Sequence, residues 1–327
     1  MEAIRLEDYK DKAGVKVDDT YAGGLYGLLV GDALGVPYEF YMAQELPSYE
    51  EIEMIPPAGF RKAHRGVDAG TWSDDGAQAL CLLDSLLTCG TFCLNDFSQR
   101  LSDWYEKGLW AVDNVVFDVG IQTGEALSAY QSGLSPEKCG LLRPEGKGNG
   151  ALMRVLPLAL WHKGTDRELV ADAHSQCLIT HGHVCNQVCC ALYCLAARYL
   201  LQGADFGKAM EKAVRGLRDI YREMPAYEQE LEWSVRPDEP WEGKGSGYVV
   251  DCLRSAFMIM ESADCYEDAV KRAIMLGDDT DTTACVTGGL AGILYGFQDI
   301  PKRWYQALKG KEEVEGLLQK LRSTATA

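Results

Sequence analysis

Two short runs of the chain concentrate oxygen ligands. Ser73-Asp74-Asp75 sets two adjacent carboxylates beside a hydroxyl, immediately ahead of an apolar stretch. Gly277-Asp278-Asp279-Thr280-Asp281-Thr282-Thr283 packs three carboxylates and three hydroxyls into seven residues. Taken alone, the first run reads better as a helix N-terminus, with Ser73 or Asp74 capping free amides and the acids favouring the positive end of the helix dipole. The second run exceeds that need, because a cap requires one such side chain and each further carboxylate adds repulsion. The segment after it, from Ala284 to Gly292, is apolar and small, and Gly288, Gly289 and Gly292 permit close backbone packing. Asp279 and Asp281 are therefore expected at the buried end of a core helix. Buried carboxylates that close must hold protons or neutralise a cation. Oxygen-only donors suit hard cations such as Mg²⁺ and Mn²⁺. Two such runs, if they meet in space, supply enough oxygens for a pair of ions that orient one substrate and one water.

Three weaker signals accompany them. The segment Gly31-Asp32-Ala33-Leu34-Gly35-Val36-Pro37-Tyr38-Glu39 has the composition of an ordinary helix stop. Gly146-Lys147-Gly148-Asn149-Gly150-Ala151-Leu152-Met153-Arg154 is a glycine-rich turn running into a helix, which makes its backbone N–H groups a seat for phosphate. It has neither the Walker spacing nor the dinucleotide fingerprint. Thr180-His181-Gly182-His183 precedes a helix, where a histidine is more often structural than catalytic. Just beyond, Cys185, Cys189, Cys190 and Cys194 recur at helical spacing without a CxxC pair, and read as reduced core cysteines rather than zinc ligands.

The elements that must position these residues are helices. Apolar periodicity predicts them over 77–87, 94–107 (opened by an Asn95-Asp96 cap signal), 184–201, 205–221, 248–260, 266–275, 283–295 and 312–321, with a frayed tail over 323–327. The 184–201 segment is apolar on nearly every side and is expected to be central. No series of alternating Val/Ile/Thr runs with hairpin turns occurs, and no internal period is found, so the expected fold class is all-α. Three connections rich in proline and glycine, 41–69, 132–150 and 223–247, are long enough to suggest that they serve a site. Helical segments of the same character flank each of them, so 1–327 is read as a single domain.

Composition narrows the function classes. The chain has 327 residues, 47% of them hydrophobic and 25% charged, enough to bury a sizeable core. Its net charge of -17 argues against nucleic acid and against an anionic membrane as partners. A small anionic ligand, held by backbone N–H groups or by bound cations, stays open. The start, Met1-Glu2-Ala3-Ile4-Arg5, has no secretory pattern, and no run is read as long enough to cross a membrane, the longest candidate being 22–36. The expectation is a cytoplasmic protein whose 12 cysteines are reduced. Nothing in the pattern points to an oligomeric state.

In this order, the motifs resemble the ADP-ribosylglycohydrolase family, typified by the hydrolase that reactivates dinitrogenase reductase and by the ADP-ribosyl-arginine and ADP-ribosyl-serine hydrolases. The resemblance runs from about Tyr21 to Gly296 through GLLVGDALGVPYEF, GTWSDDGAQALCLLDSL, GNGALMRVLPLAL, ITHGH, SGYVVDCL and GDDTDTTACVTGGLAGILYG. It implies a compact multi-helix orthogonal bundle with two divalent cations, Mg²⁺ or Mn²⁺, at the bottom of a cleft. It implies Ser73, Asp74, Asp75, Asp279, Asp281 and Thr282 as their ligands, and Glu39 near the scissile bond as a gate or further ligand. Gly148, Asn149, Gly150 and Met153 become a diphosphate and ribose cradle, with His181 beside the ADP-ribose pocket and Tyr248 on its wall.

The implied reaction is metal-dependent hydrolysis of the glycosidic bond between ADP-ribose and a protein side chain, with Asp74, Asp279 or Glu39 handling the proton. The implied partner is an ADP-ribosylated protein or an ADP-ribose conjugate. Arginine (N-linked) is the first expectation, and serine (O-linked) or a small conjugate the alternative. A non-catalytic relative would be expected to lose acidic ligands, which are all present here, and a metal phosphoesterase to carry a histidine-rich ligand set. Two positions depart from the pattern: Gly76 where Thr usually follows the Asp pair, and Asp278 where a second Gly is common.

Overall fold

A computed structural model describes residues 17–326. Among them there is no strand, only isolated bridges between Met42 and Gly277 and between Gly148 and Tyr248. The fold is all-α, as expected.

The packing is organised by two helices, Val17–Gly35 and Thr280–Tyr295. Gly23, Gly27, Gly31 and Gly35 fall four apart and so form one stripe on the first helix. The late helix opposes them in antiparallel order with Gly292, Gly288 and Ala284. A methyl group on Gly23 would lie 2.0 Å from the Gly292 oxygen, and one on Gly27 2.4 Å from that of Gly288. On Gly31 it would lie 2.2 Å from the Ala284 oxygen, and on Gly35 2.4 Å from the Asp281 Cα. Backbone meets backbone along the whole crossing, which only residues without a Cβ allow on the first helix. Hydroxyls lock the pair: Tyr266 donates to the Gly27 oxygen at 2.7 Å and Thr280 to the Gly35 oxygen at 2.9 Å.

The helix Val184–Leu201 is the second organiser. By length and composition it does reach what a membrane crossing needs, which corrects the expectation that no run does. Its residues are nonetheless buried in the core, against the helices Asp166–Cys177, Phe206–Tyr221 and Leu156–Trp161. Cys185, Cys189, Cys190 and Cys194 are buried free thiols, and all twelve cysteines are unpaired with one another.

Boundaries differ from the expected ones where the local composition misleads. The helix Leu94–Lys107 has no side-chain cap; Asp96 lies inside it and pairs with Arg100 at 2.7 Å instead. The late helix starts at Thr280 rather than 283, so Asp281 and Thr282 sit in its first turn. The last helix, Lys311–Thr326, runs through the segment expected to fray, anchored by buried Val314, Leu317, Leu318 and Leu321.

The glycine crossing generates a prediction. Gly31→Ala should destabilise the protein by about 1–3 kcal/mol, because the new methyl has only backbone to displace. Gly216→Ala, in the helix Phe206–Tyr221 with no neighbour nearer than 3.8 Å, should stabilise it by about 1 kcal/mol. Urea denaturation of both variants measures the contrast; equal effects would contradict the crossing as described.

Candidate active site

The acidic run at residues 73–75 is held by a carboxylate from another helix. Asp32, fully buried, accepts the Ser73 N–H at 2.9 Å and the Gly76 N–H at 2.8 Å. The residue that local composition presents as part of a helix stop is thus seated in the N-terminus of the helix Asp74–Cys89, where free amides and the dipole favour an anion. Ser73 is the cap residue itself, its hydroxyl accepting from Asp75 N–H at 3.2 Å. Asp74 and Asp75 occupy the buried first turn.

The two acidic runs meet. Thr282 Oγ1 lies 3.4 Å from Asp75 Oδ1. Carboxylate oxygens of Glu39, Asp279 and Asp281 fall within 4.8 Å of one another. Glu39, His64 and Asp118 form a second such group, with His64 Nε2 at 2.7 Å from Glu39 Oε2. The glycine crossing explains the convergence: it delivers the end of the first helix, and Glu39 just beyond it, to the start of the late helix.

So many acids in one place are electrostatically costly. Burial above all, and then the neighbouring carboxylates, push Asp74, Asp75 and Asp281 well above the ordinary carboxylate range. Burial raises Asp32 to about 7 and Glu39 to about 8, and the hydrogen bond to the Glu39 carboxylate raises His64. Asp75 Oδ2 and Asp281 Oδ2 are buried without a hydrogen-bond partner among the described residues. Buried polar atoms are rarely left so, and a cation is the partner that an all-oxygen donor set suits. The residues present therefore fit divalent cations.

A cleft of about 380 Å³ opens over this floor. Its far wall is the Gly148-Asn149-Gly150 turn, packed against His181 so closely that a methyl on Gly150 would lie 2.6 Å from His181 Cε1. Asn149 bridges wall and floor, donating from Nδ2 to Asp279 Oδ2 at 2.8 Å. The 223–247 connection sews the same two parts together, since the Gly247 oxygen accepts from Asn149 N–H and the Gly245 oxygen from Asp279 N–H, both at 3.0 Å. His181 lines the cleft and is neutral, burial pulling its pKa down to about 3. Met153 also lines it, whereas Ser73 and Asp281 are buried outside its lining, and Tyr248 is exposed across the bridge from Gly148.

Several residues in or beside the cleft carried no legible signal in the sequence. Asp118 stands in the irregular 108–120 connection with φ 53°, a sparsely populated conformation of the kind that clusters at functional sites. His64 comes from the 41–69 connection, whose length was the only hint. Gln122 spans from the cleft to the Thr180 oxygen at 3.0 Å, and Arg143 lines the opening. Both sequence departures have physical reasons. A side chain on Gly76 would meet Trp72 and Leu29 at 2.8 Å. Asp278 adopts φ 61°, the left-handed region that glycine and, less readily, aspartate enter.

Fold and cleft define a class: an all-α protein with a cluster of oxygen donors that could hold a cation, facing a glycine-rich turn. The ADP-ribosylglycohydrolase family profile matches residues 13–326, and the chain belongs to that family. It is 31% identical to the ADP-ribosylarginine hydrolase Tri1 of Serratia proteamaculans, over 93% of this chain and 79% of that protein. It is 29% identical to the ADP-ribosyl-[dinitrogen reductase] glycohydrolase of Rhodospirillum rubrum, over 92% and 94% respectively. A solved structure titled as an ADP-ribosylglycohydrolase-related protein complex superposes with a TM-score of 0.77 at 31% identity, covering 94% of this chain and 98% of that one.

The raised carboxyls fix a pH dependence. Groups whose folded pKa exceeds the unfolded value favour the folded state fully at acid pH and lose that contribution as pH rises through the folded pKa. For Asp32 and Glu39 the window runs from 3.8 and 4.5 up to about 7 and about 8. Cation-free protein in EDTA should therefore lose thermal stability between about pH 5 and pH 8 more steeply than its Asp281→Asn variant. Saturating Mn²⁺ should reverse the loss. Parallel melting curves for the two EDTA-treated proteins would contradict the clustered-acid account.

Proposed function

We propose that the chain is a metal-dependent hydrolase that cleaves the glycosidic bond joining ADP-ribose to an arginine side chain of a modified protein, releasing ADP-ribose. One observation carries the reading: a carboxylate floor with two buried oxygens unpartnered among the described residues faces the glycine-rich Gly148–Gly150 turn across one cleft, and the Asn149 side chain ties the two together. The relatives named ADP-ribosylarginine hydrolases support the arginine linkage. The single contiguous core supports reading the chain as one domain.

Ser73, Asp74, Asp75, Asp279, Asp281 and Thr282 are the residues that would hold two cations, Mg²⁺ or Mn²⁺. When bound, such ions supply Lewis acidity at the distal ribose and make a water more acidic. The remaining steps belong to the chain's own groups. The Gly148–Gly150 turn, with Met153 and His181, receives the diphosphate and ribose. Glu39 and Asp118 line the part of the cleft from which the guanidinium leaves. Hydrolysis puts the water oxygen on C1″ and a proton on the departing nitrogen. Of Asp74, Asp279 and Glu39, we assign the proton's transfer to Glu39, which lines the cleft and is backed by His64 at 2.7 Å.

A release assay tests the reading. The protein is incubated with arginine-linked and serine-linked ADP-ribosyl peptides in Mg²⁺, Mn²⁺ or EDTA, and products are read by mass spectrometry. ADP-ribose should appear from the arginine peptide, only with a cation, and disappear in Asp74→Asn and in Asp281→Asn. Release from the serine peptide alone would overturn the linkage. Released phosphate without ADP-ribose would overturn the reaction class.

A further inference from the structure

Arg154 is completely buried, yet its hydrogen bonds among the described residues go to no carboxylate. Its guanidinium, set over the Phe97 ring at 5.2 Å, makes four hydrogen bonds. Nη1 donates to Gln78 Oε1 at 2.8 Å, Nε to Gln176 Oε1 at 3.1 Å, and Nη2 to the Gln176 carbonyl at 3.0 Å and to Thr180 Oγ1 at 2.8 Å. Two of those partners go on to touch the cleft. Gln78 Nε2 donates to Asp74 Oδ2 at 3.0 Å, and Thr180 Oγ1 lies 2.9 Å from His181 Nδ1. A buried chain thus runs from Asp74 through Gln78, Arg154 and Thr180 to His181.

The chain has a direction because a guanidinium has donors and no acceptor. Arg154 occupies the Gln78 amide oxygen, so the Gln78 NH₂ must face Asp74. That leaves Asp74 Oδ1 outside this bond. On the other arm, Thr180 Oγ1 already accepts from Arg154. If His181 Nδ1 also donated to it, the buried Thr180 hydroxyl proton would have no partner, at a cost of about 1–3 kcal/mol. The satisfied arrangement has Thr180 donating to Nδ1. His181 then carries its proton on Nε2, the nitrogen that faces the Gly148 side of the cradle.

We infer that Arg154 is a positioning residue: through Gln78 it fixes which Asp74 oxygen is left for a cation, and through Thr180 it fixes His181 as an Nε2–H donor toward an anionic or hydroxyl oxygen of the ligand. One rigid cation orients both halves of the cleft at once. The ligand half of this inference rests on the proposed hydrolase function, whereas the tautomer does not.

Imidazole ¹⁵N spectra read the tautomer directly, since the chain has only 5 histidines and His181→Asn identifies the relevant signals by their loss. Wild-type protein should show His181 with Nδ1 bare and Nε2 protonated. Deleting a buried cation risks the fold, so two single-contact variants carry the test. Thr180→Val should lose the tautomer preference and weaken ADP-ribose binding about tenfold with Mn²⁺ affinity unchanged, and Thr180→Ser should restore both. Gln78→Leu should weaken Mn²⁺ binding about 10-fold or more while His181 stays Nε2–H. Arg154→Lys, which lacks the fork, should move both readouts in one protein. An Nδ1–H tautomer in the wild type, or both single variants binding their ligands as the wild type does, would overturn the relay. Wild-type protein with the Nε2–H tautomer and the Gln78→Leu effect, but no ADP-ribose binding, would uphold the relay and overturn the hydrolase reading instead.

Discussion

Contact between two bare backbones sets everything else in this molecule. Along the Gly23–Gly35 stripe the first helix lies against Gly292, Gly288, Ala284 and Asp281, with no side chain of its own between. Such a crossing gains dispersion contacts and excludes water over its length, but its particular property is register. A helix packed through side chains can shift a little as rotamers adjust. One packed at backbone distance has nothing to adjust. The spacing of the two stripes therefore dictates which residues lie opposite at the far end, and there Glu39 comes to rest beside Asp279 and Asp281.

This rigidity makes the acidic floor tolerable. Several carboxylates raised above their ordinary range repel one another in the absence of cations, and a compliant scaffold would relieve the repulsion by spreading. Here the first acidic run is pinned by Asp32 through the amides of Ser73 and Gly76, and the second by the crossing itself. Behind the floor, the fork of Arg154 serves Gln78, Gln176 and Thr180 together. A site held that firmly presents its oxygens in place before any ion arrives.

How much of this could be read from the chain alone depended on the range of the interaction involved. The long helices were legible because an apolar face leaves a periodic trace, and the acidic runs because so many carboxylates exceed what capping needs. The start of the late helix was misplaced at 283, since Thr280 to Thr282 look like cap residues and are in fact its first turn. Asp32 resembled part of a helix stop because its true partners, two amides forty residues on, leave no local pattern. His64 and Asp118 sit in connections without periodicity, and only the length of 41–69 betrayed one of them. The pairing of the Gly23–Gly35 stripe with the late helix was half visible: the late glycines announced close packing, but not what they pack against.

The wall of the cleft is joined to its floor differently from the way the two halves of the floor are joined. Where the 223–247 segment passes over them, the Gly247 and Gly245 carbonyls hold Asn149 and Asp279 by their amides. Main-chain bonds of this kind ask little of side-chain identity. The seam therefore fixes where the backbones of wall and floor lie and leaves the side chains of the 223–247 segment outside that constraint.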